Sequence, residues 1–155
     1  MDGDVFDVSA SARLYGPGGG YHFFAGRDAT RAFVTGCFEE DLNGDLRGVE
    51  RMFVAVDEEG GDGGGGKGGR EVKLRRERET RVARKQVRET VEGWRRLFDG
   101  GKGGRYFRVG RVVYPEGWSW GEEKKLCEKA ERGRPKRGDG GKGGEGEGVR
   151  RAGEV

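Results

Sequence analysis

The sequence predicts an α+β domain that is smaller than the 155-residue chain, followed by a polar tail. Short β-rich segments stand near the N-terminus and again after residue 104, and helical patterns lie between them. The composition is 32% apolar and 38% charged, with 34 glycines. So low an apolar share cannot form a core for the whole chain. We therefore expect one small folded unit with long solvated segments.

The first two elements are a strand and a loop. Val5 and Phe6 favour β structure, so "DVFDVS" (4–9) predicts a short strand. The following "SASAR" forms at most one turn of helix. Pro17 and the neighbouring glycines predict a loop over residues 15–24, because they disfavour both helix and strand.

Two helical patterns follow the loop. "RDATRAFVTG" (27–36) predicts a helix with Asp28 as its cap, Phe33 facing inward and Gly36 as its stop. A second apolar pattern at helical spacing follows Asp41. It consists of Leu42, Leu46, Val49, Met52, Phe53 and Val56. Gly44 and Gly48 weaken the prediction of a helix there.

The second half of the chain predicts a linker, a long helix, a strand and a tail. Residues 60–69 read as a flexible Gly-rich linker. Residues 70–98 predict a long charged helix whose second half docks through Ala83, Val87, Val91, Trp94 and Phe98. Residues 105–114 predict a strand with Phe107, Val109 and Val113 on one side. Residues 133–155 lack periodicity and predict a disordered basic, Gly-rich tail.

Charge and cysteine content bound the class of protein. The chain up to Glu59 holds 5 Lys/Arg and 12 Asp/Glu, and the remainder holds 26 Lys/Arg and 16 Asp/Glu. The first part is therefore acidic and the second part basic. Cys37 and Cys127 match no metal-ligand spacing, so we expect free thiols in a reducing compartment. The sequence has neither an apolar run of about 20 residues nor a signal peptide, so by itself it predicts a soluble chain.

The loop "YGPGGGY" carries the clearest chemistry. A flat cofactor edge can lie against glycine backbone, since no Cβ intrudes, and Pro17 stiffens the turn. Tyrosinate is a known protein ligand of haem iron, and its anionic oxygen favours the ferric state. Tyr15 and Tyr21 bracket this turn, so one could bind iron while the other donates a hydrogen bond to the ligand oxygen.

The pieces "VFDV", "YGPGGGY", "FAGRDATRAF" and, far downstream, "YFRVGRV" together resemble the membrane-associated progesterone receptor family, including neuferricin-like proteins. This family is a branch of the cytochrome b5-like haem/steroid-binding domains. The resemblance covers roughly Asp4 to Val113, with residues 57–90 as an insertion. It implies a cytochrome b5-like domain over residues 4–114.

The resemblance implies a role for each matching residue. Tyr21 corresponds to the axial haem ligand and Tyr15 to the tyrosine that hydrogen-bonds near it. Arg105 and Tyr106 correspond to the basic–Tyr pair that contacts the haem edge, with Arg where Lys is common. Asp28 corresponds to an acidic position tied to ligand binding, although a helix cap explains it equally well. The implied cofactor is haem b.

The resemblance also implies a mode of action. With one histidine, His22, the chain cannot provide bis-histidine ligation, and adjacent residues in an extended loop point apart, so we expect His22 at the pocket rim. Five-coordinate iron leaves one haem face open. This favours a non-enzymatic haem-binding module that also accepts steroid or lipid, with a cytochrome-type partner or a haem-stacked homodimer as its protein contact.

The domain of this family normally begins with a strand and a helix well before "VFDV", so the resemblance implies an N-terminally shortened domain and an upstream membrane anchor. It implies an intracellular location on the endomembrane or endoplasmic reticulum. The alternative function is binding of nucleic acid or an acidic partner through the basic helix and the Arg/Gly tail, with haem binding lost. Because that helix also carries many Glu, a solvated charged face explains it better and nucleic acid is the less favoured partner.

Overall fold

The computed structural model describes residues 1–56, 67–100 and 105–137. Strand β1 (Asp4–Asp7) pairs antiparallel with β2 (Phe107–Arg111) in a two-stranded sheet. Helices α1 (Ala12–Tyr15), α2 (Thr30–Thr35), α3 (Lys67–Phe98) and α4 (Glu128–Arg132) alternate with three 3₁₀ helices, Ser9–Ser11, His22–Phe24 and Val49–Phe53. The predicted α+β class is confirmed.

The sheet joins the two ends of the sequence motif. The register pairs Val5 with Gly110 and shifts by one residue between Val5 and Phe6. The first residue of β1, Asp4, is buried, and its carboxylate accepts hydrogen bonds from Arg95 of α3 (2.5 Å) and Arg108 of β2 (2.9 Å). One carboxylate therefore holds the sheet and the long helix together. Burial opposes its ionisation, but the two arginine hydrogen bonds outweigh burial and lower the pKa of Asp4.

The outer face of β2 lacks cover within the part of the chain that the structure describes. Phe107, Val109 and Val113, predicted to share one side of the strand, are all exposed, Val113 by 89%. The strand is present as predicted, but its apolar side contributes nothing to the described core.

Helix α2 ends as predicted, and its start carries a buried charge. Gly36 adopts a left-handed conformation (φ 73°), and its N–H donates to the Ala32 carbonyl oxygen. This glycine cap ends the helix. Arg31 is fully buried, and its guanidinium donates to the Asp41 carboxylate and to backbone oxygens of Asp45, Arg47, Lys124 and Lys125 at 2.8–3.2 Å.

The helical pattern predicted from Asp41 is only partly realised, because its first half wraps around Arg31. Asn43 Oδ1 accepts the Asp45 N–H and Asp45 Oδ1 accepts the Arg47 N–H, so side chains replace the helical carbonyls as acceptors. Only Val49–Phe53 forms a 3₁₀ helix, after Gly48 in a left-handed conformation.

The long charged helix begins at Lys67, three residues before its predicted start, and runs to Phe98. Its second half docks through the predicted stripe: Ala83, Val87, Val91 and Phe98 are buried. The half-buried Trp94 donates from Nε1 to the Phe33 carbonyl oxygen (3.1 Å). Val87 and Val91 form a core cluster with Val34 and Val49. Most of the linker predicted at 60–69 lies outside the described residues.

The segment after β2 returns to the end of α2, where a disulfide anchors it. Cys37 and Cys127 are bonded to each other across 90 residues, so the expectation of free thiols is wrong. Both cysteines are buried against Ala130 of α4. The spacing of the two cysteines did not indicate a disulfide, because their pairing depends on how the fold returns the chain to the end of α2.

Residues 133–137, assigned to the disordered tail from sequence, also dock in the structure. The N–H of Val56 donates to Pro135 O (2.8 Å), and the N–H of Arg137 donates back to Val56 O (3.0 Å). The guanidinium of Arg137 pairs with Glu79 of α3 at 3.0 Å. The rest of the predicted tail, 138–155, lies outside the described residues.

Candidate functional site

Three tyrosines meet beside the sheet: Tyr15 and Tyr21 flank the glycine-rich turn, and Tyr106 comes from the distant start of β2. The Tyr15 ring lies 5.9 Å from the Tyr21 ring and 5.9 Å, edge-on, from the Tyr106 ring. Tyr15 ends α1, Tyr21 follows the glycine-rich turn, and Tyr106 immediately precedes β2. The fold thus brings together the three phenols that the sequence singled out.

The glycine-rich turn doubles the chain back so that Tyr21 returns to the end of α1. The Tyr21 N–H donates to Leu14 O (2.8 Å), and the Gly19 N–H donates to Gly16 O (2.9 Å). A Cβ on Gly19 would clash with the Leu14 carbonyl oxygen and would lie 2.6 Å from that of Arg13. Position 19 therefore needs glycine for a close backbone approach.

An apolar cleft of about 400 Å³ opens between β1 and the segment 24–29. Its walls are mainly aliphatic and aromatic side chains from β1, α2, the end of α3 and the residues after β2, among them Phe6, Phe24, Phe33, Phe98 and Val112. Tyr15 and Asp28 supply polar groups to this lining. Cofactor and ligand sites have this size and character.

Tyr21 lies against the cleft rather than inside its lining. Its ring packs 5.9 Å from Tyr15 and 5.9 Å from Phe24, both of which line the cleft. The residue as a whole is 37% exposed.

Tyr15 is held in its neutral form. Burial is the main cause that raises the pKa of its phenol above the ordinary value, and the neighbouring Tyr106 and Tyr21 raise it further. A phenol that keeps its proton is a hydrogen-bond donor and a poor anionic ligand.

Asp28 shows both features that the sequence left open. Its Oδ1 accepts the N–H of Thr30, the first residue of α2, at 2.9 Å. The expected capping contact is thus present, although Ala29 occupies the N-cap position itself. Asp28 also lines the cleft, where the N-terminal ammonium of Met1 lies 3.8 Å from the same carboxylate oxygen.

His22 and Arg105 lie at the margin of this arrangement. His22 is exposed, and its Nδ1 lies 3.0 Å from the Tyr15 carbonyl oxygen, which fixes the ring on the turn. Arg105 is exposed and is not among the cleft-lining residues. The structure therefore brings Tyr106, but not its basic neighbour, into contact with the other phenols.

Sequence reasoning missed Ser11 and the far wall of the cleft. The hydroxyl of Tyr106 donates to Ser11 Oγ (2.8 Å), a contact across 95 residues. Phe98 enters the wall from the last turn of α3 and packs on Tyr106, with ring centroids 5.9 Å apart. The helical period placed Phe98 on the buried stripe, but no sequence signal showed which cavity it borders.

A second group of potential metal ligands in the described residues does not offer a metal site. Cys37, Asp41 and Cys127 place their ligand atoms within 4.8 Å of one another. However, the two sulfurs are bonded to each other, and Asp41 is engaged by Arg31 (3.2 Å) and Lys124 (3.0 Å).

No helix in residues 1–56, 67–100 and 105–137 has both the length and the apolar character that crossing a membrane requires. No solved structure gives a significant match to the chain.

Curated relatives match part of the chain at high identity. A neuferricin from Danio rerio is 66% identical over 56 residues, which cover 35% of this chain and 21% of that protein. Membrane steroid-binding protein 2 from Arabidopsis thaliana is 52% identical over 50 residues, covering 32% and 22%. A neuferricin homolog from Caenorhabditis elegans is 60% identical over 38 residues, covering 24% and 12%. The aligned segments span about a fifth or less of each of these relatives.

These relatives confirm the resemblance to the membrane-associated progesterone receptor family. The profile described as the cytochrome b5-like heme/steroid binding domain matches residues 1–113, which include both strands, the glycine-rich turn and α3. The chain therefore belongs to the cytochrome b5-like haem/steroid-binding domain family.

Proposed function

We propose that this domain binds ferric haem at the apolar cleft, with Tyr21 as the axial ligand, and that it acts as a binding module rather than an enzyme. Membership of a haem/steroid-binding family makes haem or steroid the expected ligand class. The finer assignment to tyrosinate-ligated haem rests on the geometry around Tyr21.

The observation that carries the proposal is the position of Tyr21. Its exposed phenol packs on Tyr15 and Phe24, two residues that line a cleft of about 400 Å³. A phenolate oxygen is a hard anionic donor that suits ferric iron, while the aromatic walls suit the porphyrin faces. The donor and the apolar cleft thus meet the two chemical requirements of the group.

Its neighbours support Tyr21 as the ligand over Tyr15. The raised pKa of Tyr15, caused first by burial, keeps its proton on the phenol. The only histidine, His22, has its Nδ1 at the Tyr15 carbonyl oxygen (3.0 Å), and it projects from the exposed side of the turn. We therefore assign support of the ligand to Tyr15 and a rim position to His22.

We assign haem b, the form held without covalent bonds to the protein. Both cysteines of the chain are in the Cys37–Cys127 disulfide, so neither is free to form a thioether to a haem vinyl group. Arg105 and Tyr106 are the candidates for the haem edge, since a guanidinium pairs well with a propionate carboxylate.

The same cleft supports steroid or lipid as a second ligand class. Asp28 is its one carboxylate besides Asp4, and it could accept a hydroxyl of an otherwise apolar ligand. Single axial ligation leaves one haem face open, which allows a cytochrome-type partner or a second copy to stack there. Such an open face suits haem carriage or ligand exchange.

We place the protein on the endomembrane system, in contact with an oxidising lumen. Disulfides persist in oxidising compartments and are rare in the cytosol, and Cys37–Cys127 closes this domain. Protease protection of the full-length protein in sealed microsomes tests this placement: digestion of the domain without detergent would contradict it.

The alternative function, binding of nucleic acid or an acidic partner through α3, has less support. Part of the basic charge of that helix is already neutralised within the protein. Ion pairs of this helix among the described residues include Arg75–Glu79, Arg84–Glu50 and Lys85–Glu89, at 3.4–3.8 Å.

Titration of the purified protein with haemin tests the function directly. We expect saturable one-to-one binding with the absorption spectrum of high-spin ferric haem bound by a phenolate. A spectrum identical to that of free haemin at all ratios would contradict haem binding. Progesterone added to the haem complex then tests the second ligand class, since a shared cleft requires it to displace haem or weaken its binding.

A further inference from the structure

Asp28 is one of two carboxylates in the lining of the apolar cleft, and its two oxygens have different surroundings. Oδ1 accepts the Thr30 N–H (2.9 Å) and the Thr30 hydroxyl, and the Met1 ammonium lies 3.8 Å from it. Within residues 1–56, 67–100 and 105–137, no hydrogen bond is made to Oδ2. The side chain keeps 15% of its surface exposed. Oδ2 is therefore the oxygen left for a ligand in the cleft.

Gly44 and Trp120 fix the place of that oxygen. A Cβ on Gly44 would lie 2.5 Å from Asp28 Oδ2 and 3.1 Å from Trp120 Cη2, so only glycine leaves room for this approach. Trp120 packs with Trp118 and Tyr114, at ring-centroid distances of 4.4 and 5.7 Å. Burial, and then the charge of Asp28, raise the pKa of Tyr114, which agrees with a carboxylate beside this aromatic cluster.

The chemistry of a carboxylate sets what can bind beside it. A carboxylate accepts hydrogen bonds and donates none. In a largely apolar cleft, a ligand hydroxyl can donate to Oδ2, whereas a ketone oxygen in the same place meets a second acceptor and leaves both groups unsatisfied. A site that hydrogen-bonds a ligand hydroxyl discriminates strongly against analogues that lack it.

We propose that Asp28 is the specificity-determining residue of the cleft and makes it prefer a hydroxysteroid over the corresponding ketone, with Gly44 and Trp120 positioning Oδ2. This inference rests on the proposed use of the cleft by a steroid and names the kind of steroid that fits. It requires no haem.

Equilibrium dialysis of the haem-free protein with radiolabelled pregnenolone or progesterone tests the preference. These steroids differ in ring A, where pregnenolone carries a hydroxyl at the position of a progesterone ketone. We expect the Kd of pregnenolone to be lower by about tenfold or more, the effect of one hydrogen bond to a charged group. Equal affinities, or tighter binding of progesterone, would overturn the proposal.

Asp28→Asn tests whether this carboxylate is the cause. The Thr30 N–H keeps an acceptor at the Oδ1 position, so the new amide places its oxygen there and its NH₂ group at the position of Oδ2. The site then offers a donor, and we expect progesterone to bind as tightly as pregnenolone or more tightly. Glu116→Gln, at an exposed carboxylate between Tyr114 and Trp118, is the control and should keep the wild-type preference. An unchanged preference in Asp28→Asn would overturn the proposal.

Gly44→Ala tests the positioning without changing a polar group. Its Cβ overlaps the place of Oδ2, so the carboxylate must turn away. We expect the Kd of pregnenolone to rise to that of progesterone. Gly93→Ala, at an exposed glycine of α3 where a Cβ meets nothing within 4 Å, is the matched control. Unchanged melting temperatures show that the variants remain folded. A full preference for pregnenolone in folded Gly44→Ala would overturn the proposal.

Haemin titration of the same samples separates this inference from the proposed function. If neither steroid binds saturably, the inference fails together with steroid as a ligand class, and the haemin titration still decides haem binding. If the two steroids bind equally well, only the inference fails.

Discussion

The rings of Tyr15 and Tyr21 lie 5.9 Å apart across a turn that the Tyr21–Leu14 backbone hydrogen bond closes. The two phenols are therefore held by backbone geometry and not by their side-chain contacts alone. One is shielded and neutral, and the other is exposed. This asymmetry is the basis on which we propose different roles for the two phenols toward ferric haem.

Replacement of Tyr21 by Phe should abolish the phenolate–haem spectrum, because it deletes the proposed iron donor and leaves the cleft walls intact. Tyr15→Phe removes at most one supporting hydrogen bond, worth about 1 kcal/mol or roughly a fivefold change in affinity. Haemin titration measures both. Tyr114→Phe, at an exposed tyrosine outside the cleft lining, is the control. A larger loss from Tyr15→Phe, or loss of the spectrum in His22→Ala alone, would reverse the ligand assignment.

Gly19→Ala should disrupt the turn, whereas Gly20→Ala should not. A Cβ at position 19 meets the carbonyl oxygens of Arg13 and Leu14, while a Cβ at position 20 meets nothing within 4 Å. We expect Gly19→Ala to lower the free energy of unfolding by roughly 1–3 kcal/mol, as overpacking does. We also expect it to weaken haem binding, because it displaces Tyr21. Thermal melts and haemin titration of the pair measure both effects. Equal behaviour of the two variants would show that the backbone approach is unimportant.

The sequence predicted this part of the fold well because the determinants are local. Glycine spacing and Pro17 define the turn, and Gly36 ends α2 in a left-handed conformation that glycine favours. The apolar period of α3 correctly identified its docking face. No signal in the sequence indicated that the motif's two distant pieces pair with each other as β1 and β2.

Other features depend on contacts that no local pattern encodes. Asp41 to Gly48 matched a helical period, yet Asn43 and Asp45 form side-chain-to-backbone turns around the buried Arg31. The Cys37–Cys127 disulfide and the Ser11–Tyr106 bond join residues 90 and 95 positions apart. Their partners are set only when the chain returns to α2 and to the sheet.

Arg31→Met should destabilise the domain severely. The guanidinium is fully buried and donates to acceptors in two segments of the chain, 41–47 and 124–125. Its loss therefore leaves the Asp41 carboxylate and several carbonyls short of donors. Removing one partner of a buried ion pair costs about 3–5 kcal/mol. Urea denaturation measures this loss. The control is Arg27→Met, at an exposed arginine three residues before α2. Its free energy of unfolding should lie within about 0.5 kcal/mol of that of the wild type.

Reduction of the Cys37–Cys127 disulfide should loosen the segment 121–137 while leaving the sheet and the cleft formed. A cross-link that closes a loop of this length contributes roughly 2–4 kcal/mol. We therefore expect a lower urea midpoint and new proteolytic cuts near α4 in the presence of dithiothreitol. The Cys37→Ser/Cys127→Ser variant should show the same midpoint with and without the reductant. Thiol counting by alkylation and mass spectrometry checks the premise: two free thiols in the protein as purified from an oxidising compartment would contradict it.

Stability should fall steeply in acid because of Asp4. Arg95 and Arg108 lower the pKa of this carboxyl despite its burial, so the folded state binds its proton less readily than the unfolded state does. Its contribution is complete above the unfolded pKa of about 4 and is lost as the pH falls through the lower folded pKa. Melting temperatures measured between pH 7 and pH 2 should therefore drop most in that lowest range.

The Asp4→Asn variant separates the contribution of Asp4 to this pH dependence from those of other carboxyls. Asp7 and Asp45 also have lowered pKa values and titrate in the same range. The amide keeps the shape of the side chain but not its charge. The free energy of unfolding at pH 7 should therefore fall by roughly 1–3 kcal/mol, the contribution of hydrogen bonds to a charged group. Its difference from the wild type should shrink toward zero as both proteins are acidified. Asp2→Asn, at an exposed residue, is the control. A constant difference between Asp4→Asn and the wild type across this pH range would mean that the charge of Asp4 does not join the sheet to α3.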